Sequence, residues 1–118
     1  MTEPVLGSYY TFKYIGGNVY APSQMIGEGM FIGRRGSMNV FATVLPKREA
    51  SPSLIQTVDL TYTPLAFYPI HAPSDKVMMT TETYHVLLSL FRSNRWNDPH
   101  DNKRTSPNCT LTPTDLLA

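Results

Sequence analysis

The chain has 118 residues, 42% of them hydrophobic and only 16% charged, with a net charge of +1 and a single cysteine. So small a positive excess excludes a dedicated duplex-DNA binder, whose affinity comes from neutralising many phosphates at once. One thiol excludes an intrachain disulfide framework and a multi-cysteine zinc site.

The length suits one domain, able to bury roughly two-thirds of the surface its unfolded form exposes. Because about 25% charged residues is usual for soluble globular chains, this surface is expected to be polar without being ionic, and copies of it repel one another little. The opening MTEPVLGSYY has no basic stretch followed by a long apolar run, and no window approaches 18 apolar residues. Neither a signal peptide nor a membrane partner is expected; the expected location is the cytoplasm or a particle assembled there, such as a virion.

Residues 9–15, YYTFKYI, alternate with period two, Tyr10, Phe12 and Tyr14 falling on one face and Tyr9, Thr11, Lys13 and Ile15 on the other. This predicts a strand. Gly16, Gly17 and Asn18 accept positive φ and turn the chain, and residues 19–21 begin a second strand that Pro22 is expected to interrupt. Residues 30–32 and 37–45 read as the arms of another hairpin, with Arg34 and Arg35 in a type I turn at its tip and Gly36 in the left-handed position. Residues 47–53, KREASPS, form a polar loop. In residues 58–63 Val58, Leu60 and Tyr62 alternate with Asp59, Thr61 and Thr63, and residues 65–70 can continue past Pro64 only as an edge, since each proline removes a ladder donor.

One helical pattern appears. Tyr84, Leu87, Leu88 and Phe91 stand at i, i+3, i+4 and i+7, widened by Val86 and Leu90, with Thr80 or Thr81 as N-cap, Glu82 in the first turn, and Arg92 and Arg95 near the C-terminal end. A helix over about 80–93 is predicted. From residue 97 onward the chain is polar and proline-containing, with little apolar content before Leu111, which reads as an arm that orders only where something receives it. The expected fold is therefore mainly β, or α+β: a small antiparallel barrel or sandwich with one C-terminal helix in residues 1–96, followed by an extended arm over 97–118.

The residues do not support catalysis. His71, His85 and His100 sit in no nucleophile elbow, zinc-binding helix or phosphate loop, and the glycines around Glu28 and Arg34 lack the Lys-Ser/Thr ending a phosphate loop needs. Asp98, His100 and Asp101 crowd into a turn too short for all three to face one ion without help from elsewhere, so no metal site and no cofactor are expected. Cys109, solitary and proline-flanked, is expected to have no redox or metal role.

Two binding readings remain. Tyr10, Phe12 and Tyr14, with the Arg34-Arg35 hairpin tip and Arg92 and Arg95 as cations, are candidate contacts for single-stranded nucleic acid, which is held by aromatic faces and backbone charge; against this, a period-two aromatic stripe is what a small sheet needs for its core. Arg34 and Arg35 are assigned to a protein contact, with arginine enriched where protein surfaces meet, and losing both is expected to cost the fold little. Leu116 and Leu117 end the chain on a polar tether that suits docking into a neighbour. The expected function is thus a non-enzymatic structural or interaction subunit of a larger assembly, by compositional analogy a viral or phage particle, whose partners are other protein subunits in a self- or hetero-oligomer. A single-strand nucleic-acid module and a small inhibitor of another protein are the alternatives.

Overall fold

The computed structural model describes residues 3–17, 20–45, 55–64, 66–69, 78–93 and 108–111. Six strands, β1 (Tyr9–Gly17), β2 (Pro22–Arg35), β3 (Met38–Val44), β4 (Val58–Thr63), β5 (Phe67–Pro69) and β6 (Asn108–Leu111), form one sheet in the order β5-β1-β2-β3-β4-β6, with every neighbouring pair antiparallel. Helix α1 (Thr81–Ser93) is the single helix among the described residues. A mainly-β fold with one late helix is what the periodicities predict. The barrel alternative is not realised, because the sheet stays open.

The sheet is nevertheless strongly coiled. Only residues 64–66 separate β4 from β5, yet β5 pairs with β1, at the other end of the strand order from β4. The coil brings the end of β4 against β1, where the Thr63 Oγ1 hydroxyl donates to the Lys13 carbonyl at 2.7 Å and the Lys13 N–H donates to the Ala66 carbonyl at 2.9 Å. Side-chain and connector bonds thus tie the two strands together where no backbone ladder does.

Alternation along the strands divides the interior in two. One face carries Met30, Ile32, Val40, Ala42, Val44, Val58, Leu60, Tyr62 and Leu111, all buried, and α1 covers it with Leu87, Leu90 and Phe91. The other carries an aromatic cluster of Tyr10, Phe12, Phe31 and Phe41, with Tyr14 and Phe67 packed against it. Phe12 and Phe41 stack with centroids 4.5 Å apart and planes 8° from parallel, while Tyr10 meets Phe67 edge-on at 5.4 Å. Such pairs add about 0.5–1.5 kcal/mol beyond the area they bury.

β2 is longer than the sequence suggests, because Pro22 begins it instead of interrupting anything. Pro22 is the first residue of the strand, opposite Gly17, and lies on the same side of the alternation as Glu28, whose carbonyl faces β3 and accepts from Thr43 Oγ1 at 2.6 Å. Its missing N–H therefore points away from β1 and costs no rung of the β1–β2 ladder. Gly27 belongs to the strand for a different reason. It pairs with Phe12, whose ring lies where a side chain would stand, since a Cβ at residue 27 would approach that ring to 2.8 Å. The glycine that weakens a strand in isolation makes room here for a core aromatic.

The β2–β3 hairpin also differs from expectation. Arg34 and Arg35 lie within β2, paired with Asn39 and Met38, and the turn is the two-residue Gly36-Ser37 link, with Gly36 at φ +58°. One register shift, between Phe31 and Gly33, marks a bulge. The bulge admits Ile32 as an extra buried residue and puts Gly33, at φ +144°, beneath the Phe91 ring, where any Cβ would collide with that ring.

Helix α1 is held at both ends. Thr80 caps it, its Oγ1 accepting from the Thr83 N–H at 3.2 Å. Gln56 ties the same end to the sheet by donating its N–H to Thr83 Oγ1 at 2.9 Å and accepting from the Thr80 N–H at 2.7 Å, and the Tyr9 hydroxyl accepts from the Met79 N–H at 2.7 Å. The buried stripe is Thr83, Leu87, Leu90 and Phe91, whereas Leu88 is only half-buried, so the apolar face is rotated from the one the spacing suggests. At the other end of the chain Asn108–Leu111 pairs with β4 as a sheet edge, so β4 itself receives this part of the predicted arm. The predicted loop over 47–53 lies outside the described residues.

Candidate interaction surface

The two hairpin tips place their side chains in opposite ways. At the β2–β3 tip, the bulge turns Arg35 to the helix side of the sheet. Its guanidinium lies 4.5 Å from the centroid of the Phe91 ring, and Nη2 donates to the Phe91 carbonyl at 2.9 Å. One side chain therefore makes a cation–π contact and satisfies a carbonyl in the last turn of α1, where the helix dipole favours positive charge. Arg34, one residue earlier, faces the other way and forms an exposed ion pair with Glu3 at 3.5 Å. An exposed pair of this kind contributes about 0–1 kcal/mol. The two arginines are thus not equivalent: Arg35 is tied to its own helix and Arg34 reaches into solvent. The sequence expects both charges to be removable at little cost to the fold; the contacts of Arg35 predict a cost at that residue instead.

At the β1–β2 tip there is no charge to place. From Tyr14 to Gly27 the sequence has no Asp, Glu, Lys, Arg or His. The distal half of this hairpin nonetheless carries exposed apolar side chains: Tyr20 is 97% exposed, Ile26 67% and Met25 41%. Tyr14 and Ile15 opposite them are half-buried. β1 and β2 pair with each other out to Gly17 and Pro22, but β5 covers the outer side of β1 only over Tyr10–Phe12, and β3 covers the outer side of β2 only from Met30 onward. Among the described residues, then, Pro22–Gly29 has no backbone ladder on its outer edge, and the Thr43 hydroxyl bonds to the Glu28 carbonyl there. An apolar ribbon of this sort, with Pro22 and Glu28 only at the two ends of the open edge and neither charge nor proline between them, is characteristic of a surface that meets another chain.

The other predicted site residues fall as follows. Tyr10 and Phe12 are buried in the aromatic cluster, and the Tyr10 hydroxyl accepts from the Val5 N–H at 2.7 Å, so neither ring has a face open to a base. Tyr14 packs on the rim of that cluster, tilted 47° against Phe12 at 5.9 Å. Arg92 is exposed on the outer face of α1, beside a shallow depression lined by His85, Leu88, Ser89 and Ser93. His85 is exposed and its ring lies 5.5 Å from that of Tyr84. Arg95, Leu116, Leu117, His71, His100, Asp98 and Asp101 lie outside the described residues, as does the side chain of Cys109. Among the described residues no group of three or more His, Cys, Asp or Glu side chains gathers to hold a metal ion, and no helix is long and apolar enough to cross a membrane.

Tyr20, Met25 and Ile26 are the residues that sequence reasoning passed over. A signal for them was present: Tyr14, Ile15, Met25 and Ile26 put apolar groups on both parities of two paired strands, interrupted on the Ile26 face only by Lys13 and Gln24. Comparison with protein-family models, with characterised proteins and with solved structures finds no match for this chain.

Proposed function

We propose that the chain is a non-enzymatic interaction subunit that joins a larger protein assembly through the distal half of the β1–β2 hairpin. The carrying observation is the exposure of Tyr20 and Ile26 on a projecting ribbon that holds no charged residue from Tyr14 to Gly27. Exposed aromatic and aliphatic side chains, with Lys13 opposite Ile26 and Glu28 two residues beyond it as the charges nearby, match the aromatic enrichment found at the centre of protein interfaces. A low overall charge fits the same reading, and a viral or phage particle is the kind of assembly that such a composition suits. The nucleic-acid alternative loses its aromatic platform, because Tyr10 and Phe12 are spent on the core.

A photo-reactive residue at position 20, compared with one at Arg92 on the outer face of α1, tests the proposal in cells that make the protein. Polypeptide adducts from position 20 and none from position 92 are expected. Adducts to nucleic acid from position 20, or equal labelling from both positions, would overturn it.

A further inference from the structure

The outer edge of β2 is self-complementary, and we infer that it pairs with the same edge of a second copy, antiparallel and about a two-fold axis through Met25. This rests on the reading of the β1–β2 hairpin as the interaction surface and names its partner as another molecule of the same chain.

The geometry follows from which backbone groups face outward. Phe31 exchanges backbone hydrogen bonds with the segment before β1, its N–H donating to the Ser8 carbonyl and its carbonyl accepting from the Gly7 N–H, both at 2.9 Å. Odd-numbered residues of β2 up to Phe31 therefore address β1. Even-numbered ones address the opposite side, as the Glu28 carbonyl does in accepting from Thr43 Oγ1. Pro22, Gln24, Ile26 and Glu28 thus direct their main chains toward an edge along which no described strand pairs.

Laid antiparallel on itself with Met25 opposite Met25, this edge sets Gln24 opposite Ile26, Ser23 opposite Gly27 and Pro22 opposite Glu28. The Gln24 and Ile26 pairs exchange both their N–H and carbonyl groups. At the outer rungs Pro22 has no N–H to give, and the carbonyl it would have met belongs to Glu28, which Thr43 already satisfies. Thr43 occupies the place beside the Glu28 carbonyl, so the ladder between copies is confined to the Gln24 and Ile26 rungs. The charges agree as well: Glu28, the one ionised group on this edge, meets a proline and not its own copy, and like charges directly opposite are what destabilise paired strands. The Met25 side chains meet on one face, while the Ile26 side chains flank Gln24 on the other.

An antiparallel arrangement also fits the bodies of the two molecules. The hairpins overlap side by side while the rest of each molecule lies at the opposite end of the pair. A same-direction pairing would set those bodies about 10 Å apart, two strand spacings, which is too close. Two-fold closure also leaves no further copy of this edge free to propagate a fibre.

Sedimentation of the full chain over a concentration series tests the inference, and a species of twice the 13.3 kDa chain mass is expected. Met25→Lys and Met25→Glu each place like charges on the axis and are expected to weaken association by about tenfold or more. Mixing the two variants should restore the dimer as a heterodimer, a result that only an axis through residue 25 produces. Circular dichroism and the melting temperature of each variant, at a residue 41% exposed, report whether it is folded. A wild-type chain that stays monomeric at every concentration overturns self-pairing while leaving a different protein partner for position 20 to label. A dimer that survives both folded variants, or variants that fail to recombine on mixing, overturns this edge and this axis.

Discussion

The two hairpins that share β2 make an instructive pair. One ends in two arginines, the most conspicuous charges in the sequence, and the fold turns one of them back onto its own helix. The other has no charged residue from Tyr14 to Gly27 and leaves Tyr20, Met25 and Ile26 toward water. Charge marks where a chain is soluble, but it does not mark where a chain is unengaged. Arg35 is useful to the fold because its long apolar stem and planar head can lie on Phe91 while one nitrogen reaches a helix carbonyl. Tyr20 and Ile26, 97% and 67% exposed, present their apolar surface outward.

This contrast can be broken at several points. Phe91→Ala removes the ring that supports Arg35 and fills the helix side of the core, and it is expected to cost about 3–5 kcal/mol in denaturant unfolding. Gly33→Ala forces a Cβ into that ring and a side chain into a strained φ, for an expected loss of about 2–4 kcal/mol; a change below about 0.5 kcal/mol would mean that the bulge and the ring are not in contact. Arg35→Ala should cost about 1–2 kcal/mol through the lost stacking and cap, and Arg35→Lys should recover only part of it, since an ammonium cannot lie flat on the ring and reach the carbonyl together. The paired change Tyr20→Ser with Ile26→Ser should shift stability by less than about 0.5 kcal/mol while abolishing the position-specific association of the hairpin. Smallest of all, Arg34→Ser should leave unfolding within about 0.5 kcal/mol of the parent at any salt concentration. If Arg34→Ser and Arg35→Ala behave alike, the two arginines are equivalent after all and the bulge does not separate them.

What could be read in advance was whatever depends on neighbours along the chain. The helix is visible because Leu87, Leu90 and Phe91 recur at its own period and Thr80 and Glu82 punctuate its start. β1, β3 and β4 show their alternation in the same local way. The first half of β2 does not, since Pro22 and Gly27 look like breakers until Gly17 and Phe12 are set opposite them. β6 is hidden for a similar reason: Asn108–Leu111 has little strand character of its own and is a strand because β4 offers an edge. The separation of the arginines is the least legible feature. Strict alternation puts Arg34 on the Met30 face, and one inserted residue at the bulge transfers that place to Arg35.

The position of β6 also gives the fold a timetable. During synthesis β1 to β4 emerge as successive hairpins, and hairpins close in about 1–10 μs. The strand that completes the far side of β4 ends at Leu111, and at about 5–20 residues per second it leaves the ribosome roughly 2–10 s after Thr63. For that interval the Val58–Thr61 edge has no β6 beside it, with Val58 and Leu60 on the face that Leu111 later helps to bury. The nascent chain thus passes through a stage in which its sheet lacks its last strand, and whatever attends the ribosome during those seconds meets an unfinished edge that the mature protein no longer presents.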